Sequence, residues 1–137
     1  REVILLTVEN ILALHDEAIR RYGGDPGHYA ETRAKIESIV AQQYPGFRVD
    51  RYPGVFNKAA MLLYFLAKGH CFVDGNKRTA IAAAITLLNL NGYRDMIPQH
   101  EGEMKVEAVA ASIVPDEQRS RYISNLAISL RARFVKG

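Results

Sequence analysis

Between His70 and Arg78 the chain sets a histidine, a carboxylate (Asp74), a Gly75-Asn76 turn and the Lys77-Arg78 pair, directly before a run of small and apolar residues. Those types in that order suit a phosphate. A helix N-terminus presents unpaired backbone N–H groups and a partial positive charge, so it holds an anion without help from side chains. Gly75 would let the backbone approach closely, and Asn76 tolerates turn geometry and would cap the first turn. Lys77 and Arg78 would add charge-assisted donors, the arginine as a planar fork matched to phosphate oxygens. His70 is the candidate base, since a neutral imidazole removes a proton from an attacking hydroxyl near neutral pH. Asp74 is the candidate metal ligand, because magnesium takes one or two carboxylates together with phosphate oxygens and waters. Base, cation ligand and anion cradle together describe a phosphoryl-type transfer site.

Each group also has a plainer reading. A histidine before a helix is ordinarily structural, a Gly-Asn turn ordinarily just starts a helix, and Lys-Arg at a helix start is ordinarily a solvated face, mildly unfavourable beside the dipole. Their occurrence together, in this order, favours the site. Cys71 lies beside the candidate base, but no Cys-His-Asn constellation accompanies it and it is not read as a nucleophile.

The elements that position these residues follow from breakers and periodicity. Residues 1–6 are short and apolar, an extended lead-in. Thr7 reads as an N-cap, and Val8, Ile11, Leu12, His15, Ala18, Ile19 and Tyr22 recur at helical spacing until residues 23–27, Gly-Gly-Asp-Pro-Gly, stop the helix. His15 on that apolar stripe reads first as a core histidine held by a hydrogen bond, with a functional role as the alternative. Residues 30–43 make a helix ended by Tyr44-Pro45-Gly46, and residues 47–52 alternate like a short strand before Pro53-Gly54. Val55, Phe56, Ala59, Leu62, Leu63 and Leu66 mark a helix stopped by Gly69. That helix and the one after Asn76, closed by Gly92, are apolar on nearly every side, as expected of a buried central pair. The active-site loop would join them, pinned at both ends. Residues 93–102 read as a loop with a solvated His100. Val106, Val109, Ala110 and Ile113 give a further helix ended by Pro115, and Tyr122, Ile123, Leu126, Ala127, Leu130 and Phe134 give the last. The expected architecture is a single all-α domain over residues 1–137, of about six helices.

At 137 residues, 48% of them apolar and 24% charged, the chain is of ordinary domain size and has no disorder signature. One cysteine excludes a disulfide framework and suits a reducing cytoplasm. The net charge of +3 admits an acidic partner, but no nucleic-acid motif accompanies the basic clusters at Arg20-Arg21, Lys77-Arg78 and residues 119–133. The apolar run after Arg78 falls short of the roughly 18 residues of a membrane helix. No charged segment leads into a long apolar run with a cleavage site, so no secretory leader is expected, and the start at Arg1 suggests a processed or partial chain.

The run from His70 through Phe72, Asp74, Gly75, Asn76, Lys77 and Arg78 to Thr79-Ala80 resembles the signature of the Fic/Doc family, and its Asn-Lys-Arg-Thr-Ala ending resembles the Doc (death-on-curing) toxin branch. A weaker likeness runs from Leu14-His15-Asp16 to Arg20-Arg21-Tyr22-Gly23-Gly24, similar to the first helix and turn of Doc-like proteins. The resemblance implies that His70 deprotonates a hydroxyl of a target protein, that Asp74 binds the magnesium of ATP, and that Phe72 anchors the loop. It also implies an anion hole at Gly75 and Asn76, with Arg78 on phosphate. The region past Gly23, through His28 and Tyr29, leads in that family toward a flap that aligns the target, with a plain surface loop as the other reading. Two positions depart from the AMP-transferring members: Lys77 replaces a glycine, and Ile81 replaces a second arginine that grips the γ-phosphate. The departure resembles the Doc branch, which transfers the γ-phosphate, so a protein kinase is expected ahead of an AMP transferase. The family's own inhibitory helix, a Ser or Thr with Glu four residues on and then Gly or Asn, is absent. A separate antitoxin is therefore implied, and the Doc branch suggests elongation factor Tu as the target. A non-enzymatic module binding through its basic face is the alternative from another class.

Overall fold

The computed structural model describes residues 2–137, so Arg1 of the expected lead-in lies outside the described residues. Thr7 starts α1 (Val8–Tyr22) with a reciprocal cap. Its hydroxyl accepts from the Asn10 backbone N–H while the Asn10 side chain accepts from the Thr7 N–H. Gly23 ends the helix at φ 84°, a left-handed backbone that glycine adopts without strain. Then come α2 (Thr32–Ala41), α3 (Val55–Lys68), α4 (Asn76–Leu90), α5 (Gln99–Ala111), a 3-10 turn (Asp116–Gln118) and α6 (Arg119–Arg131). Two three-residue strands, β1 (Tyr93–Asp95) and β2 (Phe134–Lys136), pair antiparallel with Arg94 opposite Val135.

Helices α3 and α4 pack against each other at the centre. Around them lie α1 and α5 on α4, and α5 and α6 on α3. From Ala59 to Leu63 every residue of α3 is buried, and in α4 Ala80, Ala83, Ala84, Leu87 and Leu88 are buried. The small alanines let the two axes approach, and their neighbours supply the apolar area that stabilises the pair. The expected central pair, all-α class and count of six α-helices are present among the described residues.

Four expectations of the elements need correction, the first being that Ile113 continues the helix before Pro115: α5 ends at Ala111 and Ile113 is exposed beyond it. Residues 47–52 do not form a strand: Gly46 and Val49 exchange both backbone hydrogen bonds at 2.9 Å, closing a tight turn with Phe47 and Arg48 at φ 51° and 65°. Alternation there came from exposed side chains, Phe47 and Val49 among them, with no partner strand. Residues 93–102 are not one loop, because Tyr93–Asp95 pairs with β2 and His100 sits in the first turn of α5. Phe134 continues the apolar periodicity of α6 yet belongs to β2, where it is buried against Phe56. Pairing between segments forty residues apart leaves no local signal in either.

Candidate active site

The loop joining α3 to α4 runs from Gly69 to Gly75. His70 is exposed and sits at φ 48°, a left-handed conformation costing roughly 1–2 kcal/mol for a residue with a side chain. Several side chains hold it there. Lys35 of α2 donates to the Gly69 and His70 carbonyls at 3.0 and 3.4 Å. Thr32, at the start of α2, donates its hydroxyl to the Cys71 carbonyl. Asn76 then clamps Phe72 from both sides, its Oδ1 accepting from the Phe72 N–H at 3.0 Å and its Nδ2 donating to the Phe72 carbonyl at 2.8 Å.

That clamp corrects one expectation. Asn76 does not cap the first turn of α4; the cap position is Gly75 at φ 78°, with no side-chain cap at all. The consequence favours an anion. With no side chain folded over it, the first turn of α4 keeps its N–H groups open to the cleft. A glycine is required at the cap for a second reason, since a β-carbon there would lie 3.1 Å from Ile19 and 3.5 Å from the His15 ring.

The Phe72 side chain is buried and stacks on His15, ring centroids 3.7 Å apart and nearly parallel. His15 in turn donates from Nε2 to the Asp74 carbonyl at 2.9 Å. Asp74 is exposed, and each carboxylate oxygen takes one backbone N–H, Oδ1 from Gly75 at 2.9 Å and Oδ2 from Asp25 at 3.2 Å. Both oxygens keep lone pairs free, and the carboxylate lines the cleft beside the open helix end. Its position suits a hard cation shared with phosphate oxygens. The residues present therefore fit magnesium.

The cleft measures about 680 Å³ and is lined by His70, Asp74, Gly75, Asn76, Lys77 and Arg78 from the motif and by Glu103 and Glu107 from α5. The fold thus brings the six expected polar and glycine residues of the site to one cavity and leaves Phe72 beneath it as a buried prop. Lys77 and Arg78 do not stand free. Lys77 meets Glu107 at 2.7 Å, and Arg78 lies 3.5 Å from Glu103 with its guanidinium 3.7 Å over the Tyr22 ring. The two glutamates, one helical turn apart, offset the cost of cations at a helix N-terminus. Ile81 lines not this cleft but an adjoining groove of about 460 Å³ between α1, α4 and α5, which shares Arg78, Glu103 and Val106 with it.

Residues 23–29 lie alongside the loop. His28 forms an isolated antiparallel bridge with Phe72, and the Val73 N–H donates to the Gly27 carbonyl at 3.2 Å. Cys71 is buried, and desolvation pushes its thiol above the ordinary range, which leaves it a packing residue. Sequence reasoning missed Lys35, Thr32, Glu103 and Glu107, none of which carries a local mark, and left His15 between two readings.

A sequence model of the Fic/DOC family matches residues 5–88, more than half of the chain and the whole of the site loop. The chain belongs to the Fic/DOC family. It is 33% identical over 121 residues to the protein kinase doc of Escherichia phage P1, an alignment covering 85% of this chain and 94% of that one. It is 51% identical over 60 residues to the toxin Doc of Mycolicibacterium smegmatis, covering 43% of this chain and 46% of that protein. These likenesses bear out the Doc branch of the family. No helix among the described residues is long and apolar enough to cross a membrane.

Proposed function

We propose that this Doc-like chain is the toxin of a toxin–antitoxin pair and transfers the γ-phosphoryl group of ATP to a hydroxyl of a target protein in the cytoplasm. The observation that carries the reading is the convergence of His70, Asp74 and the uncapped N-terminus of α4 on one cleft. His70 takes the proton of the target hydroxyl as its oxygen attacks the γ-phosphorus. The bond from that phosphorus to the bridging oxygen breaks, and ADP leaves. The backbone N–H groups after Gly75 and the guanidinium of Arg78 face the charge that develops on the phosphate oxygens. Magnesium, held through Asp74 when the nucleotide is bound, would neutralise phosphate charge. The clamps on Gly69, His70, Cys71 and Phe72 hold the base in position before substrate arrives, so little ordering remains to be done.

The choice of the γ-phosphate rests on Ile81, whose side chain lines the neighbouring groove and offers no second cation to the nucleotide. The target we favour is a translation elongation factor such as elongation factor Tu, as in the resemblance to the Doc branch. Names of the relatives, a toxin and a protein kinase, support a separate antitoxin that covers the cleft. Of the basic residues between 119 and 133, Arg119 pairs with Asp116, Arg133 with Glu101, and Arg131 lies over Phe56, which leaves the exposed Arg121 and counts against the binding-module alternative.

The test is to incubate the purified chain with a bacterial lysate and ATP labelled in parallel at the α- and γ-phosphates. Label from the γ-position alone, lost in His70→Ala, is expected. Label from the α-position would make the chain an AMP transferase, and no label on any lysate protein, with purified elongation factors added, would remove the enzyme reading.

A further inference from the structure

We propose that His15, Asp16 and His28 form a second cation site, for a divalent transition metal of the zinc class, that ties α1 to the segment of residues 23–29 beside the active-site loop. The His15 ring is buried. Its Nε2 lies 2.9 Å from the Asp74 carbonyl oxygen, which only accepts, so Nε2 carries a proton and in the neutral ring Nδ1 presents a lone pair. Nδ1 is itself buried and has no hydrogen-bond partner. Unpaired buried acceptors are rare in folded proteins and call for an explanation.

What Nδ1 faces is a second acceptor. Asp16 Oδ1 lies 4.0 Å away, and the His28 ring stands edge-on with its centroid 5.6 Å from that of His15. The three donor atoms lie within 4.8 Å of one another. Two imidazoles and a carboxylate are a donor set of intermediate softness, suited to zinc, nickel, cobalt or copper and not to magnesium or calcium. The contact beyond the ring has the matching form: a metal-bound histidine ordinarily donates its other N–H to a carbonyl or carboxylate, which fixes the tautomer, and the Asp74 carbonyl does so here.

Tetrahedral zinc, with bonds of about 2.0–2.2 Å, sets its donors roughly 3.4 Å apart. Asp16 and His28 are exposed side chains that would have to turn about their own bonds to close from the present 4.8 Å or less to that spacing, while His15 stays fixed in its stack on Phe72. Water would take the fourth position on the exposed side. The site is separate from the cleft, which none of these three residues lines. Its ligands come from α1 and from the segment whose His28 bridges to Phe72, so an ion here would fasten that segment across the back of the loop.

The experiment is a calorimetric titration of the full chain, stripped with chelator, with zinc alone and without nucleotide. One equivalent is expected, with an N/O shell at about 2.0–2.1 Å by X-ray absorption and no sulfur. Asp16→Ala and His28→Ala, both exposed and expected to fold, should each weaken binding at least tenfold and abolish the zinc-dependent rise in melting temperature. His28→Gln separates loss of the ligand from loss of the side chain's bulk and should behave as His28→Ala. His70→Ala and Asp74→Ala should keep the equivalent, since the Asp74 backbone carbonyl is retained. Absence of a stoichiometric site, or binding that survives loss of Asp16 and His28, would overturn the proposal. Binding lost in His70→Ala but kept in His28→Ala would move the ion to the cleft and overturn it equally.

Discussion

Among the described residues, two loops hold residues other than glycine at left-handed φ, and they are held in opposite ways. At residues 69–75, His70 is fixed by side chains from α2 and α4, with Phe72 buried beneath. At residues 46–49, Phe47 and Arg48 rest on one pair of backbone hydrogen bonds, and Phe47 is fully exposed. Backbone strain persists where the surroundings over-determine it, and it is informative when they do so at a cleft full of polar groups. The first loop fits that description, whereas the second is a surface turn that tolerates its strain because little depends on it. A positive φ alone would have ranked Phe47 and Arg48 equal to His70; the density of independent restraints separates them.

The largest expected break in that comparison is chemical. On the proposed function, His70→Ala should lower phosphoryl transfer on the order of 10²–10⁴-fold while leaving the melting temperature nearly unchanged, because the exposed ring would supply a base and not packing. A matching fall in stability would mean that His70 is a structural residue. Next comes the clamp. Asn76→Ala leaves both the N–H and the carbonyl of Phe72 without their partner, and denaturant unfolding should report a loss of about 2–3 kcal/mol together with reduced activity. Unaltered stability would show that water replaces the asparagine and that the loop is not over-determined.

Phe47→Gly should act in the other direction. Removing a left-handed strain of roughly 1–2 kcal/mol, offset by the greater freedom of glycine in the unfolded chain, should stabilise by about 0.5–1 kcal/mol with activity unchanged. Loss of activity in that variant would assign the surface turn a role in the target interface.

The smallest effect concerns the support of α2, which carries Thr32 and Lys35. The Glu9 carboxyl on α1 is held below its ordinary value of 4.5, chiefly by the hydrogen bond from Arg33. A carboxyl lowered in the folded state contributes stability above its unfolded pKa and loses it as pH falls through the folded one. Between pH 6 and 3 the melting temperature should therefore fall slightly less in Glu9→Gln than in the parent chain. Identical slopes would show that solvent screening leaves this exposed pair without effect.

Much of the loop is legible in the sequence. His70, Asp74, Gly75 and the Lys77-Arg78 pair lie close together in sequence, and a short segment entering a helix has few ways to arrange itself. The flanking helices were equally plain, since α3 and α4 are apolar on nearly every side and bounded by Gly54, Gly69 and Gly92. Asn76 shows where local reasoning stopped. A cap and a clamp use the same side chain at the same position, and only the path of the chain at Phe72 decides between them. Strands β1 and β2 were invisible for a related reason, as three residues show no periodicity and the stability of the pair comes from a partner some forty residues away.

By itself, the sequence determined the family, the helical class, the central buried pair and which loop residues would line one cleft, because those depend on patterns within a few turns of chain. The tertiary structure alone decided that Lys35 and Thr32 hold the loop, that Glu103 and Glu107 meet its cations, and that His15 turns one nitrogen to Asp74 and leaves the other beside Asp16 and His28. Those contacts join separate elements, and the direction of a side chain across such a junction is set by how the elements pack.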